Sequence, residues 1–426
     1  MKQTSLLKKE LEQHNYDERL ADLYADAALV PAQVARYIKA LEQYEATFTE
    51  EEVEIYSAPG RSEISGNHTD HQQGRVLAAS VNVDFIAVVG KTKEDMIQIL
   101  SEGYDMITVD LHDLTLHKEE EGTTKALIKG VVTGLQEAGY TIGGFKGYIT
   151  SDVLSGSGLS SSAGLETIFG CILSGLYNNG EVSPIKIAQI GQYAENVYFK
   201  KPSGLMDQMA CSVGDFVYID FRDSKEPVVE KIDVDFESKH YSLCIVDTKG
   251  SHDDLTDEYA SVPVEMNAIA KEFGKTHLRE VDKDEFYAKI PALRKSCGDR
   301  AVLRAIHFFN ENERVVKQVE ALKEGRMDDF LGLVKESGNS SFKFLQNVYV
   351  SSNVKEQNMS IALAVSESIL GENGVCRVHG GGFAGTIQAF VKNEFVAEYK
   401  ERIEAIFGSN SCNVLKIRKY GGRRVL

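Results

Sequence analysis

The run Ser155-Gly-Ser-Gly-Leu-Ser-Ser-Ser-Ala163 carries the strongest local signal for chemistry in this chain. Its glycines let the backbone approach an anion. A helix that begins among the serines turns its N-terminal N–H groups and positive dipole end toward a phosphate. Serine hydroxyls add donors to phosphate, or a hard oxygen ligand for Mg²⁺. Lysine does not follow the glycines, so this is not a Walker A loop. A Ser/Gly connector with an ordinary helix cap accounts for the same residues.

Three other segments hold polar groups at spacings that suit a site. Ala58-Pro-Gly-Arg-Ser-Glu-Ile-Ser-Gly-Asn-His-Thr-Asp-His71 is too polar for a core strand and reads as a binding loop. Within it, His68, Asp70 and His71 lack a fourth ligand for a metal site. They suit sugar hydroxyls better, because a carboxylate accepts two hydrogen bonds and a neutral imidazole donates or accepts. A solvated turn is the other reading of this loop. Asp207 lies between the turn Lys201-Pro-Ser-Gly204 and the apolar run Met209–Val213, a setting for a partly desolvated base or for a plain surface turn. Arg61 is a candidate cation to keep Asp207 ionised and to stabilise charge on a phosphoryl group in transfer. Gly380-Gly-Gly-Phe-Ala-Gly385 needs backbone conformations that glycine adopts freely, either for a tight hairpin or for close packing of one loop on another.

The elements that must hold these segments follow from periodicity. Phe145, Gly147 and Ile149 alternate as a strand that delivers the Gly/Ser loop; Leu165, Ile168, Phe169, Ile172, Leu173 and Leu176 then recur at helical steps. Residues 1–50 read as a helical preface. Val53, Ile55, Val81, Val83, Phe85, Ala87 and Val89 begin a sheet. Strands are expected at Phe216–Asp220, Leu243–Asp247, Val375–Val378 and around Ile387–Val391, with helices between about 262 and 345. A boundary near 215 divides the chain into a preface (1–50), a first domain (51–215) and a second (216–426), as 426 residues suggest.

Composition removes other classes. Lys plus Arg (47) against Asp plus Glu (64) leaves a net charge of −17, which opposes nucleic acid and anionic membrane. A nucleotide remains compatible, since a local nest of N–H groups and a divalent cation reverse the field in one cleft. Six scattered cysteines without a C-x-x-C pair point to reduced thiols rather than a disulfide or zinc framework. With no apolar leader near Met1, a cytoplasmic protein is expected, outside any membrane and monomeric.

Taken together, Pro59-Gly-Arg61, Gly66-Asn-His-Thr-Asp70, Gly156–Ala163, Gly204-Leu-Met-Asp-Gln208, His277-Leu-Arg-Glu-Val281 and Gly380–Gly385 resemble the successive motifs of the galactokinase branch of the GHMP kinases. The resemblance covers the chain from about Tyr56 onward. It implies two mixed α and β domains, an α+β fold, with the active site in the cleft between them. It implies ATP and Mg²⁺, and transfer of the γ-phosphate to the anomeric hydroxyl of galactose or a galactose-like sugar. Residue by residue, it assigns the nucleotide phosphates to Gly156, Ser157, Gly158, Leu159, Ser160, Ser161 and Ser162, and magnesium to Ser162 and Glu195. Asp207 becomes the base and Arg61 the charge-stabilising cation, while Asn67, His68, Asp70, Gly204 and Val262 fall at the sugar.

Some positions depart from the pattern. Galactokinases usually read Gly-Glu-His-Thr-Asp-Tyr where this chain has Gly66-Asn-His-Thr-Asp-His71, and the family's Val and Asn are replaced by Ser62 and Glu63. In the family that Glu lies near the exocyclic hydroxyl of the sugar. An amide there would not repel a carboxylate, and the wording also resembles the galacturonokinases, so galacturonate is an alternative substrate. A galactokinase-like sugar and ATP sensor without catalysis is the alternative of another class.

Overall fold

Leucines, valines and tyrosines recurring through the opening segment each bury one face of a helix, and three helices result. A short strand β1 (Lys2–Gln3) leads into α1 (Thr4–Glu12), α2 (Asp17–Tyr24) and α3 (Val30–Phe48). In α3, Val34, Tyr37, Leu41 and Tyr44 follow three- and four-residue steps and are buried. The computed structural model describes residues 1–153, 158–223, 226–250 and 255–426.

The first sheet is built next. Its chain order is β2 (Glu52–Ser65), β3 (Arg75–Lys91), β4 (Met96–Ser101), β5 (Ile107–Asp110), α4 (Thr124–Glu137), β6 (Phe145–Ser151), α5 (Ser161–Asn178), α6 (Pro184–Tyr193), α7 (Met206–Val213), β7 (Phe216–Asp220) and β8 (Val228–Ile232). Its strand order is β1-β2-β3-β6-β4-β5, with β7 on β3 and β8 on β7. Alternation sorts the side chains into two cores. Val53, Ile55, Ile86 and Val88 pack on the preface helices, while Tyr56, Ala58, Phe85, Ala87 and Val89 pack with residues of α4 and α5. The preface therefore covers a sheet face that would otherwise be open to water.

The second part comprises β9 (Tyr241–Asp247), the helices α8 (Thr256–Lys271), α9 (Lys283–Ser296), α10 (Asp299–Lys323), α11 (Met327–Ser340) and α12 (Asn358–Leu370), then β10 (Gly374–Val378), β11 (Thr386–Lys392), α13 (Val396–Phe407) and β12 (Cys412–Leu415). Its antiparallel sheet runs β10-β11-β9-β12. The last strand, β13 (Arg423–Arg424), returns to pair with β2 at Ser57 and Tyr56. The architecture is α+β in two parts, as expected.

The expected boundary at 215 is displaced. Residues 216–220 pair with β3 and residues 228–232 pair with β7, so the first sheet continues through Ile232. A local strand pattern does not say which sheet a strand will join. Ala58 through Ser65, expected in a loop as too polar for a core strand, are instead the buried end of β2, their polar groups met by β3 and by the second part; the β2–β3 ladder shifts register between Pro59 and Arg61 and again between Glu63 and Ser65. Such bulges bend a strand and re-aim its side chains. Here they carry β2 past α5 and on into the helices and sheet of the second part.

Candidate functional site

Asp207 stands in the first turn of α7, where a carboxylate is favoured by the helix dipole. Arg61 meets it through both forks: Nε donates to Oδ1 and Nη2 to Oδ2, each at 2.7 Å. Two parallel charge-assisted bonds fix the geometry as well as the charge. The third guanidinium nitrogen donates to the carbonyl of Gly158, and the Ser160 hydroxyl donates to Asp207 Oδ2. Burial opposes ionisation of Asp207, but the Arg61 charge and the bonds from Arg61 and Ser160 outweigh it and hold the carboxyl below its ordinary range. Arg61 is 9% exposed and Asp207 31%, so the cation is walled in while the carboxylate stays accessible. Oδ1 accepts from Arg61 and keeps a lone pair for a further proton.

On one side of this pair lies the start of α5. Ser160 precedes the helix with a φ of 55°, and Ser161 and Ser162 form its first turn. Leu159 is buried, and its carbonyl accepts from the backbone of Arg61 at 3.2 Å. Gly156 and Ser157 lie outside the described residues. The Ser162 hydroxyl donates to Glu195 Oε1 at 2.9 Å, and Glu195 sits in a π-helical turn, Ala194–Tyr198, that continues α6. Lys201 Nζ lies 2.9 Å from the same oxygen, and Gln208 donates to Oε2 at 2.8 Å. A serine hydroxyl beside a carboxylate is a hard-oxygen pair of the kind Mg²⁺ takes together with nucleotide phosphates. The half-exposed Lys201 ammonium already occupies a cation position there, so a cation at Glu195 fits the donor set. Among the described residues, no cluster of three or more His, Cys, Asp or Glu side chains forms an all-protein metal site.

Beside Ser161 and Ser162 opens a cavity of about 550 Å³ walled by Phe85, Ile107, Leu127, Ile149, Val153 and Leu165. It is largely apolar, with Glu102, Thr124 and Thr150 as polar edges.

On the other side of Asp207 lies the polar loop. A Cβ on Gly204 would come within 2.8 Å of Asp70 Oδ2, so a side chain there would push the Asp70 carboxylate aside. His68 takes a φ of 58°, and its Nε2 donates to the carbonyl of Gly381 at 2.8 Å. Burial pushes its pKa down to about 4, so the ring is neutral with Nδ1 left as acceptor. Gln72 ties this loop to the His277–Val281 segment, accepting from the Leu278 backbone at 2.9 Å and donating to Asn267 at 2.7 Å.

Two expected sugar residues are placed elsewhere. Asn67 is fully buried and its amide is saturated: Nδ2 donates to Glu63 (2.9 Å) and the Gly380 carbonyl (2.7 Å), while Oδ1 accepts from Asn347 (2.7 Å) and Ser341 (3.3 Å). It holds the glycine turn of the second part and has nothing left for a sugar hydroxyl. Val262 is fully buried in a cluster with Met266, Ile269 and Phe308, a core position. One helical turn earlier in α8, Tyr259 rests on the glycine turn instead, its hydroxyl donating to the Gly382 carbonyl at 2.8 Å. Sequence reasoning passed over it, although its three-residue offset from Val262 puts both on one face of a helix. Gly382 must be glycine, with a φ of 87° and the Asn347 carbonyl 2.0 Å from any Cβ.

Behind the site, Glu63 pairs with Arg377 at 3.2 Å, and both are buried. Burial outweighs the two nearby arginines and lifts Glu63 to about 6. His379 Nε2 lies 3.1 Å from Ser62 Oγ, and its Nδ1 lies 2.9 Å from Thr386 Oγ1.

With this geometry in view, the comparisons with known proteins agree. The chain matches the GHMP kinases N terminal domain over residues 126–215 and the galactokinase galactose-binding signature over residues 42–91. The galactokinase of Glaesserella parasuis serovar 5 is 31% identical over 365 residues, 85% of this chain and 91% of the relative. That of Lactobacillus helveticus is 28% identical, covering 86% of this chain and 93% of its own. The crystal structure of Lactococcus lactis galactokinase complexed with galactose shares the fold with a TM-score of 0.75 at 24% identity, covering 90% of this chain and 98% of that one. The Methanococcus jannaschii mevalonate kinase shares it at 0.60 and 17% identity, over 86% and 98%. At these lengths and identities, the chain belongs to the galactokinase family of the GHMP kinases.

Proposed function

We propose that this protein transfers the γ-phosphate of ATP to the anomeric hydroxyl of galactose, giving galactose 1-phosphate and ADP. The observation that carries the reading is the Arg61–Asp207 pair, set between the Asp70–Gly204 contact and the first turn of α5. Asp207 takes the proton of the attacking hydroxyl; the freed oxygen pair forms the new O–P bond, and the bond to the ADP oxygen breaks. Arg61 orients that carboxylate and offsets charge on the phosphoryl oxygens. His68 and Asp70 face the sugar as acceptor and carboxylate. The α5 N-terminus, with Gly158 through Ser162, receives the phosphates, and the apolar cavity beside it receives the adenosine. Ser162 and Glu195 would hold Mg²⁺, which would neutralise phosphate charge.

The uronate alternative rested on the amide at position 67 and on the wording His68-Thr-Asp-His-Gln72; the amide is fully engaged, which removes the first of these supports. The sensor alternative has no support from the site, which brings Asp207, Arg61 and Ser162 together. A monomer in the cytoplasm is part of the proposal; six cysteines without a disulfide fit the reducing compartment. No helix among the described residues is long and apolar enough to cross a membrane.

Purified protein with Mg-ATP and a panel of galactose, galacturonate and N-acetylgalactosamine tests the reading by ADP release and by the position of the new phosphate. Turnover of galactose to the 1-phosphate is expected. Folded protein that turns over none of the three sugars would overturn the proposal, and preference for galacturonate would restore the alternative.

A further inference from the structure

Arg36 lies on α3, before the residues that match the galactose-binding signature, and it reaches across the preface to the end of the first sheet. Its Nη1 donates to Asp84 Oδ1 at 2.6 Å and lies 3.0 Å from Asp152 Oδ2; its Nη2 donates to the Asp84 carbonyl at 2.7 Å. That same carbonyl accepts from the Asp152 backbone N–H at 3.0 Å. One guanidinium thus staples together the place where β3 and β6 separate, just past the paired residues Phe85 and Ser151.

The two aspartates differ in what else holds them. Asp84 is fully buried and also receives Tyr24, Ser57 and Arg418. Asp152 is about half exposed, on a segment that has left the sheet. Its neighbours Thr150, Ser151 and Val153 form one wall of the cavity beside Ser161 and Ser162. Val153 also stands within 3.5 Å of a Cβ placed on Gly60, next to Arg61. A displacement of this segment would therefore move the cavity wall.

We propose that Arg36 is a positioning residue for the nucleotide: by bridging Asp84 and Asp152 it sets the Thr150–Val153 wall of the cavity, and so ties the helical preface to ATP affinity. The inference rests on the reading that the cavity receives the adenosine of ATP. A bidentate fork suits the task because it holds two acceptors in a fixed plane, which a lysine ammonium does not. Misplacement of a binding wall by about 1 Å is enough for a ten- to hundred-fold loss.

The test is steady-state kinetics of the intact protein, varying ATP and galactose separately. Arg36→Ala is expected to raise the KM for ATP roughly ten-fold and leave the KM for galactose within about two-fold, with Arg36→Lys recovering part of the loss. Should Arg36→Ala fail to fold, Asp152→Asn keeps the buried Arg36–Asp84 contact and is expected to raise the ATP KM about three-fold in the same selective way. An ATP KM unchanged in every folded variant, a galactose KM that rises in step, or a fall in ATP KM for Asp152→Asn, where the carboxylate would be acting as a bare charge, overturns the proposal. Ile107→Trp, which fills the cavity, separates the two readings. If it leaves the ATP KM unchanged, the cavity is not the nucleotide pocket and both readings fall. If it raises the ATP KM while the Arg36 and Asp152 variants do not, only the positioning role falls.

Discussion

Two buried acidic clusters hang on strand β2, and they are built differently. At Glu311, a fully buried carboxylate accepts from Ser65 at 2.8 Å and from the Gly66 backbone at 3.0 Å, with Ser337 and Arg314 as further partners. Burial disfavours its charge, yet Arg314 and these donors outweigh it and hold the group down at about 2. A few residues earlier on the same strand, Arg61 also holds Asp207 below its ordinary range, but 31% of that side chain remains exposed and Oδ1 keeps an unused lone pair. Charge does not separate these clusters. Unspent hydrogen-bonding capacity on an exposed carboxylate does, and it sets an acid that joins two parts of the molecule apart from one that, in the proposed reaction, accepts a proton.

The largest expected effect is at the open cluster. Asp207→Asn should lower turnover by about a thousand-fold, the scale of a lost general base, while ATP binding by calorimetry changes little. Near wild-type turnover would remove Asp207 from the mechanism and break the distinction. The closed junction should respond in stability instead. Arg314→Met leaves Glu311 buried without its paired cation and should cost about 3–5 kcal/mol in urea unfolding, with turnover per folded molecule largely kept; a loss confined to activity would reverse the assignment.

Smaller effects sharpen the contrast. Burial holds His68 at about 4 and His379 at about 3, whereas the unfolded chain takes up protons near 6.5. Above 6.5 both states are neutral and neither histidine contributes. As pH falls from 6.5 toward 4, the unfolded state binds protons that the folded state refuses, so stability drops by about 1.4 kcal/mol per pH unit per histidine. Denaturant midpoints across that window check the slope, and His379→Gln should flatten it. The smallest effect is expected for Gly204→Ala, whose methyl meets Asp70 Oδ2. A rise in the galactose KM of roughly three- to ten-fold is expected, about 1 kcal/mol, with the ATP KM unchanged. An unchanged galactose KM would take Asp70 away from the sugar.

How much of this was legible in the sequence depended on how local the cause was. The strand, Gly/Ser loop and helix order around 145–176 follows from periodicity and glycine chemistry, and it folds that way. Arg61 and Asp207 were legible only as candidates, because 146 positions separate them and no local rule joins them. The destination of β7 was hidden because strand pairing is a tertiary choice. Asn67 was misjudged since its type suggested a free amide, while its saturation comes from Asn347 and Gly380, some 280 and 313 positions away. Val262 was expected at the sugar, and its place in a buried cluster depends on residues of other helices that its own neighbours in sequence do not reveal.

The return of β13 to β2 has a consequence for biosynthesis. Arg423 and Arg424 hydrogen-bond alongside Ser57 and Tyr56, so a sheet begun near residue 52 waits for some 370 further codons to be translated before that edge is covered. A nascent chain halfway off the ribosome carries both Arg61 and Asp207 but exposes the flank of the strand that aims the first of them. Until residues 423 and 424 emerge, that flank keeps its backbone groups at Tyr56 and Ser57 without this pairing.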